Sequence, residues 1–296
     1  SRDRPNFTIS ADSHTTRVLI ENNQAVGVEY ERNGELRRAY ADEVVLSAGP
    51  IGSPHLLMLS GLGPSDQLEA AGVDVIANMQ GVGQNLRYHP SVAVRWRAED
   101  DFPMPDVEVG PQKVALRYTA RGSELRNDMI TVMRWSSPNR EFLMSAGLYL
   151  AKASGELRLS SNDSHQQPDL DYHLLDHPYD LSRMRDAVRM QIEFGKHPAY
   201  KGILKELIDP MPNNMDSDED LDKWLLSNAS TMHHVSCTAR MGAASDPMAV
   251  VNQYGQVHGI RGLRIADLSI MPDCPRANTN SPAIMIGERI ADFMKN

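Results

Sequence analysis

Two adjacent histidines, His233 and His234, follow Ser230-Thr231-Met232 and lead into Cys237-Thr238-Ala239-Arg240-Met241-Gly242. An imidazole titrates near ~6.5, so it can accept a proton at neutral pH, which few other side chains can do. The pair is a candidate general base, and a structural, hydrogen-bonded histidine is the competing reading. Downstream, the loop Asn278-Thr279-Asn280-Ser281-Pro282 introduces an apolar closing helix. Ser281 suits its N-cap and Pro282 its first turn, where a missing N–H costs nothing. Such a helix start offers free N–H groups and partial positive charge to an anion or an electron-rich oxygen. Cys237 and Cys274 are the only cysteines. They make neither a disulfide framework nor a metal-ligand spacing, so a reducing, cytoplasmic setting is expected.

These residues must be held by a scaffold of strands and helices. Thr8-Ile9-Ser10, Arg17 to Ile20, Ala25 to Tyr30 and Glu43 to Ser47 read as short strands, and Asn22-Asn23 and Asn33-Gly34 as turns. Pro54 to Ser60 reads as a short helix, and Ser65 starts another. From Val92 the pattern changes to alternating segments at Val92 to Trp96, Lys113 to Tyr118, Met129 to Met133, Phe142 to Ala151 and Glu156 to Ser160. They predict a mainly antiparallel sheet. Glu99-Asp100-Asp101, followed by Pro103 and Pro105, reads as a loop. Asp180 to Lys196 and Asp218 to Leu226 read as amphipathic helices. A strand over Gly262 to Asp267 precedes the closing helix, whose apolar side takes Ile286, Ile290 and Phe293, with Ile284 and Met285 adding to it. Met133, Trp135, Met144 and Tyr149 are candidates to face a substrate pocket, although the sixteen methionines are first of all adaptable core filler.

The sequence resembles the glucose–methanol–choline (GMC) family of flavoenzymes. The resemblance rests on His234-Val235-Ser236-Cys237-Thr238-Ala239-Arg240-Met241-Gly242, on Asp267-Leu268-Ser269-Ile270-Met271-Pro272, and on Asn278 through Glu288. Upstream, Ser47-Ala48-Gly49-Pro50-Ile51-Gly52-Ser53-Pro54 and Leu57 through Pro64 match the family's central signature, in family order. Gly81-Val82-Gly83-Gln84-Asn85-Leu86-Arg87-Tyr88-His89-Pro90 follows, with Arg87 and Tyr88 departing from the usual pair. His89 is expected to have a structural hydrogen-bonding role.

The resemblance implies an α/β (α+β) protein: part of an FAD-binding Rossmann-like domain at residues 1–91 and 231–296, with an inserted antiparallel-sheet substrate domain at 92–230. It implies FAD-dependent oxidation of an alcohol to a carbonyl, with the hydride going to flavin N5 and the hydroxyl proton to His234. Asn280 is the expected partner on the substrate oxygen, and His233 a structural neighbour. Thr15 aligns with the position whose backbone meets the adenine. Asp267 and Leu268 are expected at the pyrophosphate or ribityl part, through backbone N–H groups or a ribityl hydroxyl, since a carboxylate beside a pyrophosphate is repelled. Asn280 and Ser281, at the start of the closing helix, are expected beside the flavin N1 and C2 carbonyl.

Family members open with a Gly-x-Gly-x-x-Gly turn, which this sequence lacks; Gly81-Val82-Gly83 has no third glycine. The expectation is therefore the C-terminal portion of a GMC-like protein or one chain of a split one, whose partner chain carries the ADP-binding motif. The alternatives are a half-length protein that has lost the cofactor, a redox-neutral flavoprotein lyase on the same scaffold, and a non-catalytic fragment or partner chain whose active form needs another chain. A net charge of −9 without a long basic run argues against nucleic acid as a partner. No apolar run reaches the roughly eighteen residues of a transmembrane helix. The resemblance implies a small-molecule alcohol as the partner.

Overall fold

The computed structural model describes residues 4–104 and 114–295. The expectations at Ser1 to Asp3, Pro105 and Lys113 lie outside the described residues. The chain opens with an antiparallel meander of β1 (His14–Glu21), β2 (Gln24–Arg32) and β3 (Glu35–Tyr40). Its turns are Asn22-Asn23 and Asn33-Gly34, all at positive φ, as tight hairpins require. Thr8-Ile9-Ser10 does not form a strand. Ile9 is exposed, and no neighbouring strand offers these residues a ladder.

β4 (Val44–Leu46) leads into α1 (Gly49–Leu59), which begins well before the expected Pro54. Gly49, at φ 81°, makes the turn from strand to helix, and Pro50 sits in the first turn. Pro54 is tolerated inside the helix because the carbonyl its missing N–H would serve is Pro50's. That carbonyl accepts instead from Thr238 Oγ1 at 2.5 Å. A short parallel unit follows: β5 (Leu62–Gly63), α2 (Ser65–Ala70) and β6 (Ala77–Asn78).

The large sheet is antiparallel and six-stranded. It contains β7 (Pro90–Ala98), β8 (Ala115–Tyr118), β9 (Met129–Ser136) and β10 (Glu141–Leu148). The segment from Glu156 does not join it. Instead β11 (Glu156–Arg158) pairs with β12 (Asp169–Asp171), and Leu157 and Leu159 pack into the core around α1. After α3 (Pro178–Gly195) come β13 (Leu204–Asp209), α4 (Asp218–Asn228) and β14 (Ser230–Thr231). The sheet runs β13-β7-β10-β9-β8, with β14 also on β7. Finally β15 (Leu263–Ile265) pairs in parallel with β4, and α5 (Asn280–Phe293) closes the fold.

Two cores result. One gathers Leu46, Leu57, Leu62, Val251, Ile265 and Ile290 around the β4–β15 pair. The other packs one face of the large sheet, through Val94, Trp96 and Met144, against Met184 and Val188 of α3 and Leu225 of α4. Met133, Trp135 and Met144 belong to this helix-covered face, so they do not face a substrate pocket; only Tyr149 packs on the other side, with Ile130 and Val132. Strand alternation decides this: odd-numbered β9 residues share one face and even-numbered ones the other. In α5, Ile286 and Ile290 are buried at helical spacing, whereas Ile284 and Met285 are 61% and 58% exposed and do not join the apolar side. Among the described residues no helix is long and apolar enough to cross a membrane.

Candidate active site

His234 is brought to its place by a short irregular ladder between residues 87–91 and 230–236. Ser230 and Thr231 pair with Ser91 and Pro90, and Ser236 pairs with Arg87 through two backbone bonds of 2.9 and 3.0 Å. Three residue steps separate Arg87 from Pro90, but five separate Thr231 from Ser236. The two extra residues bulge out, and His233 absorbs the kink with φ 60°. Cys237 is also left-handed, at φ 72°. The bulge leaves His233 exposed and turns His234 inward, where it is buried beside His89.

The Nδ1 atoms of His89 and His234 are 2.7 Å apart. His89 Nε2 lies 2.8 Å from the Pro275 carbonyl, which can only accept, and 3.1 Å from Cys274 Sγ. His89 is fully buried; burial first, then the neighbouring His234, hold its pKa down to about 4. Its ring is therefore neutral at pH 7, with the proton on Nε2 and a lone pair on Nδ1. His234 must then donate from Nδ1, which leaves its own lone pair on Nε2. Burial, then His233, also lower the pKa of His234. The chain thus presents a neutral imidazole with a defined tautomer.

His234 lines a cavity of about 380 Å³ together with Ser91, Ser145, Arg134, His233 and Asn278. Asn280, expected there, is the exposed first residue of α5 and is not among the lining residues. The asparagine in the cavity is Asn278, two positions earlier. The helix begins sooner than the Ser281-Pro282 pattern suggests: Ala283 N–H donates to the Thr279 carbonyl at 3.0 Å, so Ser281 lies inside the first turn rather than capping it.

A second cleft, of about 600 Å³, runs along β4 to Ser47 and Ala48 at the strand's carboxyl end. Thr15 lines it, as do Gly52 and His55. His55 Nε2 is buried with no hydrogen-bond partner among the described residues. Asp267 is buried at the nearby junction, and its carboxylate is fully engaged. Oδ2 accepts from Gly49 N–H at 3.0 Å and Ser53 Oγ at 2.5 Å, and Oδ1 from Ser269 N–H at 2.8 Å. Asp267 thus ties α1 to the turn after β15, leaving backbone groups there for any ligand. The carbonyls of Leu268, Ser269 and Ile270 accept from Cys237, Ala239 and Met241, which fixes the His234 segment against the same turn.

Burial raises the thiols of Cys237 and Cys274, to about 12 and about 11, so neither is a nucleophile at neutral pH. Among the described residues no cluster of His, Cys, Asp and Glu could hold a metal ion. The His89–His234 contact and Asn278 were not anticipated. A histidine pair far apart in sequence leaves no local signal, and nothing in Asn-Thr-Asn says which of the two exposed asparagines lines the cavity.

Two models of GMC oxidoreductase match the chain, the N-terminal one over residues 1–91 and the C-terminal one over residues 151–287. The oxygen-dependent choline dehydrogenase of Photobacterium profundum is 33% identical over 321 residues, covering 98% of this chain and 56% of the relative. The 5-(hydroxymethyl)furfural oxidase of a Methylovorus species is 34% identical over 308 residues, covering 98% and 58%. Among solved structures, pyridoxine 4-oxidase from Mesorbium loti superposes with a TM-score of 0.91 at 25% identity, over 99% of this chain and 59% of that one. The formate oxidase of Aspergillus oryzae, whose FAD modification has been followed by mutation, gives 0.89 at 25% identity, over 99% and 62%. The chain thus spans a little over half the length of the curated relatives it matches.

Proposed function

The chain belongs to the GMC oxidoreductase family, and from that premise we propose that it serves FAD-dependent oxidation of an alcohol to a carbonyl, with His234 as the base. The observation that supports this reading is the 2.7 Å contact with His89, which takes up the Nδ1 proton of His234 and leaves the Nε2 lone pair of its neutral form free, in a residue lining a cavity.

The second cleft fits the dinucleotide on two counts. It runs to the carboxyl end of a parallel strand, where α/β sheets take such ligands, and it contains an orphaned buried nitrogen, His55 Nε2, that a polar ligand atom would satisfy. Thr15 would hold the cofactor at that cleft, Asp267 and Leu268 through backbone groups, and Asn280 and Ser281 through the positive end of α5. When bound, the flavin supplies the two-electron acceptor for the hydride, which no side chain can replace.

The rest is done by this chain's side chains. His234 Nε2 accepts the hydroxyl proton, and the resulting imidazolium still donates from Nδ1 to His89. His89 cannot compete for that proton, because it stays neutral down to about pH 4. The amide role on the substrate oxygen, expected of Asn280, we assign to Asn278, which shares the cavity with His234. Buried Val132 excludes water from one side.

The test is anaerobic mixing of an alcohol with the flavin-loaded protein. This sequence contains no Gly-x-Gly-x-x-Gly turn, so the sample includes the segment or separate chain that supplies it. Loss of the oxidised-flavin absorbance is expected, slowed on the order of 10²-fold or more in His234→Ala. A loaded flavin that no alcohol reduces would instead favour redox-neutral lyase chemistry.

A further inference from the structure

The substrate class follows from the charge in the cavity beside His234, given the reading that an alcohol is oxidised there. Among the described residues lining that cavity, Arg134 carries the one permanent charge; none is acidic, and none is Phe, Tyr or Trp. Arg134 stands on the face of β9 that also presents Val132, away from α3 and α4. Its guanidinium donates to the Ser145 hydroxyl at 3.3 Å, and among the described residues no carboxylate lies within ion-pair distance.

The other arginines of the sheet make the contrast. Across the ladder, Arg134 faces Leu143, and Leu143 faces Arg95. Arg95 is paired with Glu141 at 2.5 Å, and Arg97 with Glu206 at 3.3 Å. Of Arg95, Arg97 and Arg134, only Arg134 is without a carboxylate among the described residues, in a protein whose net charge is −9. Arg117, on the adjoining β8, is likewise without a carboxylate among the described residues; it lies over the Tyr149 ring and donates to the Arg276 carbonyl at 3.0 Å. An unpaired guanidinium in a cavity rimmed by hydroxyls has the donor geometry for a planar or tetrahedral oxyanion. It repels a trimethylammonium group, which would need a carboxylate or aromatic faces. Kinship with proteins named choline dehydrogenase therefore does not bring choline to this chain.

We propose that the substrate is a small alcohol bearing an anionic group, a carboxylate or a phosphate, held by Arg134 while its hydroxyl meets His234. The experiment compares 3-hydroxypropanoate, 2-hydroxyethyl phosphate, 1,3-propanediol and choline as reductants of the flavin-loaded protein. The better of the two anions is expected to exceed 1,3-propanediol in kcat/KM by about 10–100-fold, the worth of a charge-assisted hydrogen bond. Which anion leads identifies the group. Arg134→Gln should bring that ratio close to unity, and Arg134→Lys should retain most of it. Arg134 is exposed and has one weak contact, so both variants are expected to fold. Choline as the best reductant, or a ratio unmoved in Arg134→Gln, overturns the proposal. Calorimetric binding of the same anions to the oxidised protein separates the two readings. Arg134-dependent binding without flavin reduction keeps the anion site and rejects alcohol oxidation; no binding by either anion rejects the anion site.

Discussion

His89 and His234 share one hydrogen bond between their Nδ1 atoms, 2.7 Å apart, and that bond fails only when both rings are protonated. A proton on each Nδ1 would set two donors against each other. The pH dependence of flavin reduction follows. His234 is active in its neutral form, and its pKa lies below the ordinary 6.5. The rate should therefore be flat through neutral pH and fall only as pH drops below 6.5, steepening near pH 4 where His89 charges as well. Anaerobic reduction rates across this range check it; a rate that keeps climbing well above neutral pH would point to another base.

His89 also links stability to pH. Its folded pKa, about 4, lies under the unfolded value of 6.5. Between these values the unfolded chain binds a proton that the folded one refuses, so stability falls as pH falls through the window from 6.5 to 4. The loss from this one residue is on the order of 3 kcal/mol. His89→Gln removes the titration while keeping a polar side chain. Urea unfolding at pH 7 and pH 4.5 should show a smaller acid loss in the variant than in the parent; an equal loss would place the acid sensitivity elsewhere.

Most of the scaffold was legible because periodicity reports which face is buried. The helices α3 and α4, the meander turns and most strands of the large sheet follow from it. Two features were not legible, for the same reason. The strand over Leu204–Asp209 pairs across its ladder with Ala98 to Arg95, and β11 leaves the large sheet for the α1 core; both are decided by partners far away in sequence. At the site, His234 could be singled out from its neighbours, but the choice between Asn278 and Asn280 depended on where α5 begins. That start is set by Thr279, whose carbonyl receives Ala283, and not by the Ser281-Pro282 pattern. Arg134 looks like any outward residue of an alternating strand; only the lack of a carboxylate beside it among the described residues marks it.

Gly83 is a position where no other residue fits. It has φ 81°, its N–H donates to the Thr238 carbonyl at 2.8 Å, and its carbonyl accepts from Leu157 N–H at 2.7 Å. A Cβ there would overlap the Leu157 carbonyl and come within 2.5 Å of Met58 Cε. The clash is with backbone, which cannot swing away. Gly83→Ala should cost at least the ~1–3 kcal/mol of a strained backbone position. Gly122→Ala is the control: its φ is 71°, but nothing lies within 4 Å of the added methyl. Denaturant midpoints should fall clearly further for Gly83→Ala; equal effects would mean that strain alone, without the clash, sets the cost.

The buried ion pair beneath the large sheet gives the last prediction. Arg183 of α3 donates from Nη1 to Asp128 at 2.7 Å and from Nη2 to Asp180 at 2.6 Å, with all three side chains at most 1% exposed. Burial alone would raise the Asp128 carboxyl; hydrogen bonds from Ser123 Oγ, the Ala120 N–H and Arg183 outweigh it and hold the pKa below the usual value. Asp180 also accepts from the N–H groups of Lys152 and Ala153, so the cluster joins α3 to the segment after β10. Asp128→Ala leaves Arg183 paired with Asp180 but strands the buried Ala120 N–H, so it should cost about 1–3 kcal/mol. Arg183→Met leaves two carboxylates unpaired in a dry site and should cost more, about 3–5 kcal/mol. Because each single change exposes the other's partner, the double variant should be less destabilised than the sum of the two. Chemical unfolding of the four proteins measures this. Strict additivity would show that the ion pair does not couple the loop before β9 to α3.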